Sequence, residues 1–489
     1  LISPILDFFN KVQEKYQADS PTYCIYRQIE QGFIIKALWS GGSEVVSTKA
    51  FDKAFKRLSN LTNYEKAPVT RNYRFDLCKM ETLLKRLGNP EKKLQCVVQV
   101  GGSKGKGTVS CMTGALARSI GASVGVYLSP HVRNVRERIL LNGEMAPEKA
   151  LIPHLERVAD HFIDNQTWFE AFTAVAISFF AEKNPDLVIL EVGLGGRLDS
   201  TTAVPKHACC ITSIEREHTS TLGNRIEDIT CEKAGILRPG VPCVSGLTGT
   251  AAAILQTKAQ HVQAPLIPLT AEFKCNILDQ GIGGMLLSHP FLGPKPLKLP
   301  IHTETQAFSF ALALLLFQQT PLWERRQTKG LSPDTLVESL KRFHPPGRFQ
   351  ILRLEGGRTA LLDGAHTNDS LAALGRDLRK IFGKTSHGEQ APEPPFDLVF
   401  AIADTKHWQE GLGSLVPFVD KAYGAPLCEK QSQDPKKMAG WFEHRGIPFE
   451  TTGSIEEAVK KILAKSPKRG ILVTGSFYGV GEALKVLED

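Results

Sequence analysis

Short apolar runs alternate along this chain with longer stretches in which apolar residues recur every three or four positions, the rhythm of buried strands and packed helices. Val97, Val98 and Val100 form one such run, and behind it Val109, Met112, Leu116 and Ile120 share one helical face. Runs at 123–128, 187–190 and 208–214 predict further strands, and 168–181 predicts a helix that is apolar on most sides. A helix over 78–87 stops at Gly88-Asn89-Pro90. Another begins near Asn224, which forms a capping-box pattern with Glu227, and ends before Pro239. A helix over 306–317 and strands at 397–403, 448–451 and 470–474 continue the alternation, which belongs to α/β proteins with mostly parallel sheets.

The alternation is interrupted twice. Residues 1–46 carry a mixed pattern with no recognisable chemistry and stand apart as an N-terminal extension. From 246 to 300 motifs thin out; a hairpin turn is predicted at 281–284, and a proline-rich connection over 290–300 divides a domain of 47–300 from a second of 301–489. The segment 383–395, rich in Pro, Glu and Gly, reads as a solvated loop. The net charge of +8 suits anionic ligands, but the basic residues are dispersed rather than gathered in a stripe, which argues against nucleic acid. The ten cysteines show no paired C-x-x-C spacing and most sit among apolar neighbours, as the reduced thiols of a cytoplasmic protein do. No apolar run reaches the roughly 18 residues of a membrane span, and a monomer is expected.

The turn at 102–108 carries the clearest chemistry. Gly102, Gly105 and Gly107 let the backbone take positive φ and approach a ligand, so that N–H groups and a helix N-terminus meet on one anion beside Lys106 and Thr108. Gly107, between Lys106 and Thr108, breaks the common spacing of a glycine, four residues and Gly-Lys-Ser/Thr. The bland alternative is a glycine-rich connection with a solvated lysine. Ser129, Glu191 and His218 each stand just past an apolar strand, where open α/β sheets bind ligands. Singly they read equally well as a turn residue, a cap and a satisfied loop histidine.

Taken together, GGSKGKGT, SPH at Ser129, ERI with NG at Asn142, LEVGLGGRLD from Leu190, EHT at Glu217, EKAGI at Glu232, PGR at Pro346, DGAH at Asp363 and TGS at Thr474 fall in family order. Over about residues 50–489 the chain resembles the folylpolyglutamate synthase and dihydrofolate synthase family, relatives of the Mur ligases. The resemblance implies a Mur-ligase-like α/β fold: an N-terminal P-loop-type ATPase domain with a mostly parallel sheet, and a smaller C-terminal Rossmann-like domain. It implies a ligase that uses ATP and Mg2+ to activate a carboxylate as an acyl phosphate and joins L-glutamate to a folate, to dihydropteroate, or to both. By matching position it implies catalytic roles for Lys106, His218 and Lys233, and ATP contacts from Gly102, Gly105, Lys106, Gly107, Thr108, Arg348 (phosphates) and Asp363 (ribose). The implied metal shell is Ser129, Glu191, His218 and a carbamylated Lys233. Departures from the family pattern are Ser103-Lys104 for Thr-Asn, Glu217 for Asp, and Ala307 near the place of an ATP-contacting Asn. A non-catalytic nucleotide-binding relative and a Mur-type ligase for another carboxylate are the alternative readings.

Overall fold

The computed structural model describes residues 45–64, 76–270, 276–281, 283–383, 395–428, 432–465 and 469–488. Nearly all of the N-terminal extension and of the predicted loop at 383–395 therefore lies outside the described residues. The chain divides into two packed units, Leu1–Lys56 and Arg57–Asp489, and both large sheets belong to the second.

The first sheet contains β1 (Val97–Gly101), β2 (Val124–Tyr127), β3 (Ile139–Leu141), β4 (Glu144–Met145), β5 (Leu187–Glu191), β6 (Ala208–Ile211), β7 (Cys243–Ser245) and β8 (Leu266–Pro268). Their order is β4-β3-β2-β5-β1-β6-β7-β8, parallel from β2 to β8, with β3 and β4 antiparallel at one edge. Every residue of β1, β2, β5 and β6 is buried, because helices cover both faces; that is why these strands read as continuous apolar runs rather than as alternation.

Helix α1 (Lys106–Ser119) follows β1, and α2 (Trp168–Lys183) starts from a capping box in which Thr167 and Glu170 satisfy each other's backbone N–H. Helix α3 (Ile226–Lys233) starts later than the sequence pattern suggests: its N-cap is Arg225, which pairs with Asp228 at 2.8 Å, and the Asn224–Glu227 capping box is not formed. Strands β9 (Asn276–Gly281), β10 (Gly284–Ser288) and β11 (Leu297–Leu299) make a small antiparallel sheet, with the hairpin turn at the expected place and β11 inside the proline-rich connection.

Beyond that connection, α4 (Glu304–Gln318) and α5 (Pro333–Arg342) pack against α1, and Phe310, Leu314, Phe317, Leu340 and Phe343 join the core of the first sheet. Gly114 of α1 makes room for Phe343, whose ring a Cβ there would meet at 2.9 Å. The core of the second sheet begins only at Phe349, so the helices after residue 300 share the first core rather than the second. An almost wholly apolar helix such as α4 has to be covered on most sides, and the first sheet with α1 provides that cover.

The second sheet contains β12 (Gln350–Arg353), β13 (Thr359–Leu362), β14 (Phe396–Phe400), β15 (Val419–Gly424), β16 (Phe449–Thr451) and β17 (Gly470–Thr474) in the order β12-β13-β17-β14-β15-β16, parallel except for β12. Successive residues of its strands feed opposite cores, Leu398 and Leu472 on one face, Val399 and Val473 on the other. Helix α6 (Phe477–Leu487) follows β17 from the N-cap Ser476.

Candidate active site

Strands β2, β5, β1 and β6 are neighbours, so the segments that leave their carboxyl ends converge. The turn after β1 is held by the segment after β6: Ser103 N–H donates to the Ser213 carbonyl at 2.8 Å, Lys104 N–H to Ser213 Oγ at 2.9 Å, and Thr212 Oγ1 to the Lys104 carbonyl at 2.6 Å. Gly102 (φ 133°) and Gly105 (φ 82°) take the positive φ expected of them; a Cβ on Gly102 would come within 2.1 Å of Thr212 Oγ1. Gly107 is different. It lies in the first turn of α1, and what its missing side chain admits is the Arg348 guanidinium, which a Cβ there would meet at 2.8 Å. Thr108 is half-buried in the same turn.

Two lysines share one acceptor. The Nζ atoms of Lys106 and of Lys233, the last residue of α3, each donate to the Gly102 carbonyl at 3.0 Å. Lys233 is only 2% exposed and also donates to Glu217 Oε1 at 3.0 Å. Burial, reinforced by the Lys106 charge, pulls the Lys233 ammonium down to about 8 against the pull of Glu217. Burial by itself would raise the Glu217 carboxyl, but Lys106, Lys233 and Lys104 outweigh it and hold it at about 2. Next to Glu217, His218 (φ 48°) is the exposed N-cap of the short helix Thr219–Leu222. Crowding by the surrounding protein, with Lys106, Lys233 and Lys406, lowers its imidazole to about 4 despite Glu217.

Glu191 closes β5, 1% exposed, and its Oε2 accepts the Ser129 N–H at 2.8 Å. Burial raises this carboxyl above its ordinary value, while Arg348 and Lys106 pull the other way; it forms no ion pair among the described residues. A buried carboxylate beside Ser129, in no ion pair among the described residues, is the hard-oxygen chemistry that suits a magnesium ion. Among the described residues no three His, Cys, Asp or Glu side chains gather as a metal-holding group; Glu191 and His218 are the only residues of those types in the expected shell with Ser129 and Lys233.

The second sheet delivers Arg348, Asp363 and His366 to the same place. Arg348 acts electrostatically on Glu191 and Asp363 and lies over the Phe477 ring, with 5.1 Å between Cζ and the centroid. Asp363 uses both oxygens on the backbone, accepting from Phe349 N–H at 2.8 Å and Ala365 N–H at 2.9 Å. It thereby clamps the turn after Arg348, where Phe349 is forced to φ 52°. Burial pushes the Asp363 carboxyl up to about 6. His366 donates its Nδ1–H to the Gly364 carbonyl at 2.7 Å and is held at about 3 by burial and by Lys104.

One residue is not evident from the sequence. Ala307 stands near the place of an asparagine that would help hold ATP, but its neighbour Gln306 supplies an amide, whose Nε2 donates to the Arg348 carbonyl at 3.2 Å and whose Oε1 accepts from His302 N–H at 2.8 Å. A glutamine three positions after Thr303 is a capping-box signal, and Thr303 and Gln306 do form that box.

Comparison with known proteins places this geometry. No family model matches the chain. It is 30% identical over 449 residues to the probable bifunctional folylpolyglutamate synthase/dihydropteroate synthase of Haloferax volcanii, a match covering 88% of this chain but 50% of that protein. The chain thus spans about half the length of that relative. With the dihydrofolate synthase/folylpolyglutamate synthase of Bacillus subtilis it shares 28% identity over 435 residues, 84% of this chain and 95% of that one. The solved structure of E. coli FolC in complex with DHPP and ADP superimposes with a TM-score of 0.71 and 27% identity, covering 89% of this chain and 97% of that one. The Mur-ligase-like two-domain α/β architecture is therefore this chain's own.

Proposed function

We propose, because the chain belongs to the folylpolyglutamate synthase and dihydrofolate synthase family, that it joins L-glutamate to a folate or to dihydropteroate at the expense of ATP. One observation carries this reading. The Arg348 guanidinium is packed against the N-terminus of α1, so a cation faces the positive end of a helix dipole, with Lys106 beside it. Glu191 and Glu217 offset part of this positive charge, and a polyphosphate on the helix N-terminus would offset the rest.

In this reading the free N–H groups of the first turn of α1 and the Arg348 guanidinium hold the nucleotide phosphates, and Lys106 leaves the Gly102 and Ser103 carbonyls to join them. Ser129 and Glu191 would hold a magnesium ion, which when bound would supply charge neutralisation for the triphosphate. Asp363 keeps Arg348 in place and faces the ribose. The substrate carboxylate attacks the γ-phosphorus and ADP leaves; the glutamate amine then attacks the acyl carbon, the phosphate leaves, and the amine gives up its proton. Lys233, buried and held near 8, has a neutral-amine fraction that can take up carbon dioxide; carbamylated, it would turn from ammonium to oxygen ligand, with His218 nearby. Both walls of the cleft come from one chain, which suits a monomer, and the eight described cysteines are free thiols, which suits the cytoplasm. No helix among the described residues is long and apolar enough to cross a membrane.

The test is phosphate release from ATP with L-glutamate and either dihydropteroate or tetrahydrofolate. Release that depends on both glutamate and the pterin is expected, and Lys106→Met should abolish it; absence of glutamate-dependent release with either pterin would overturn the reading.

A further inference from the structure

Two of the three cleft residues of the second sheet, Arg348 and His366, rest on one aromatic ring. Phe477, the first residue of α6, is half-buried directly after Ser476, whose Oγ accepts from Tyr478 N–H at 3.1 Å and fixes the start of the helix. Gly364 clears the space for the Phe477 ring, which a Cβ there would meet at 2.5 Å, while Gly347 is in ordinary contact with the ring and makes room for Val480, at 2.9 Å from such a Cβ. The face of the ring carries the Arg348 guanidinium at 5.1 Å, and the same guanidinium is packed on Gly107. The His366 ring packs against it at 6.1 Å with 63° between planes, its Nδ1 tied to the Gly364 carbonyl. Gly364 and Phe477 thus form a socket against which both groups pack.

We propose that Phe477 is a positioning residue for the ligase: its π face fixes the Arg348 guanidinium against the phosphate-binding helix, and the same ring fixes the plane of the His366 imidazole. The inference rests on the reading of Arg348 as a phosphate contact. A guanidinium over a phenyl face is held by the ring quadrupole as well as by packing, so an aliphatic side chain that fills the socket loses the first and keeps much of the second. The ring also removes rotamers that an arginine would otherwise have to lose on binding nucleotide.

The experiment compares Phe477→Leu and Phe477→Tyr with the wild type, measuring the ADP Kd by titration, the ATP KM and kcat by phosphate release, and Tm. Phe477→Leu should weaken ADP binding and raise the ATP KM roughly tenfold, whereas Phe477→Tyr, which keeps the face, should stay within about twofold of the wild type. In an Arg348→Met background Phe477→Leu should change ADP affinity no further, which a merely structural role would not produce. Wild-type ADP affinity in Phe477→Leu, or an equal loss with and without Arg348, would overturn the proposal. If Phe477→Leu fails to fold, loss of ADP affinity in the folded Phe477→Tyr would equally overturn it. Because ADP binding is measured without turnover, a wild type that binds ADP but releases no glutamate-dependent phosphate would defeat the ligase reading alone.

Discussion

Replacing Asp363 by asparagine sets two effects of the same carboxyl against each other. In the native protein burial raises this group from its ordinary 3.8 to about 6, which at ~1.4 kcal/mol for each pH unit corresponds to about 3 kcal/mol. The native state binds the proton more tightly than the unfolded chain, so the associated stability is fully present below pH 3.8 and is lost as the pH rises through 6. The substituted amide cannot titrate and escapes that loss. It has, however, one acceptor where the carboxylate uses two, for Phe349 N–H and Ala365 N–H, and turning an amide donor toward one of them costs about 1–2 kcal/mol. Asp363→Asn should therefore be slightly less stable than the wild type at pH 4 and more stable by about 1–2 kcal/mol at pH 7.5. It should bind nucleotide more weakly at both, because the turn that carries Arg348 is no longer clamped from both sides. Urea melts of the two proteins at pH 4, 6 and 7.5 measure this; the Asp377 carboxyl, pushed up to about 7 by burial and then by the Asp363 charge, is relieved in the variant and shifts the difference in the same direction. A stability difference of the same size and sign at all three pH values would refute the reasoning.

Other substitutions separate stability from function. Glu191→Gln removes a buried charge whose protonation burial already favours, so Tm should hold or rise while magnesium-dependent phosphate release is lost; a lower Tm would show that the carboxylate is structural. Gly102→Ala has no room, with Thr212 Oγ1 at 2.1 Å from the new Cβ and φ at 133°; it should lose several kcal/mol by denaturant melt and fail to bind ADP. Lys233→Ala leaves Glu217 without its partner at 3.0 Å; turnover should be abolished and bicarbonate should not restore it, and a turnover unchanged from wild type would remove Lys233 from the mechanism.

Much of the first sheet was legible in the sequence because burial on both faces drives a strand toward apolar residues, as in β6 throughout and in β1 and β5 apart from Gln99 and Glu191. The second sheet is less fully legible: β12, at its edge, is only half-buried and leaves no comparable run. The start of α3 is misplaced by the pattern for a related reason, since an Asn and a Glu three apart satisfy the capping signature wherever they fall, and here Arg225 and Asp228 compete for the same turn.

The amino-acid string by itself determined the strand–turn–helix at residues 97–119, the positive φ of Gly102 and Gly105, and the positions of Ser129 and Glu191 at strand ends, because backbone preference and burial are written locally. Only the tertiary structure decided that Gly107 makes way for Arg348, that Asp363 spends both oxygens on the backbone, that the Gln306 amide holds the Arg348 carbonyl, and that α4 joins the first core. These are meetings between segments up to hundreds of residues apart, and which side chains meet across such distances is set by how the two sheets pack, not by any period in the chain.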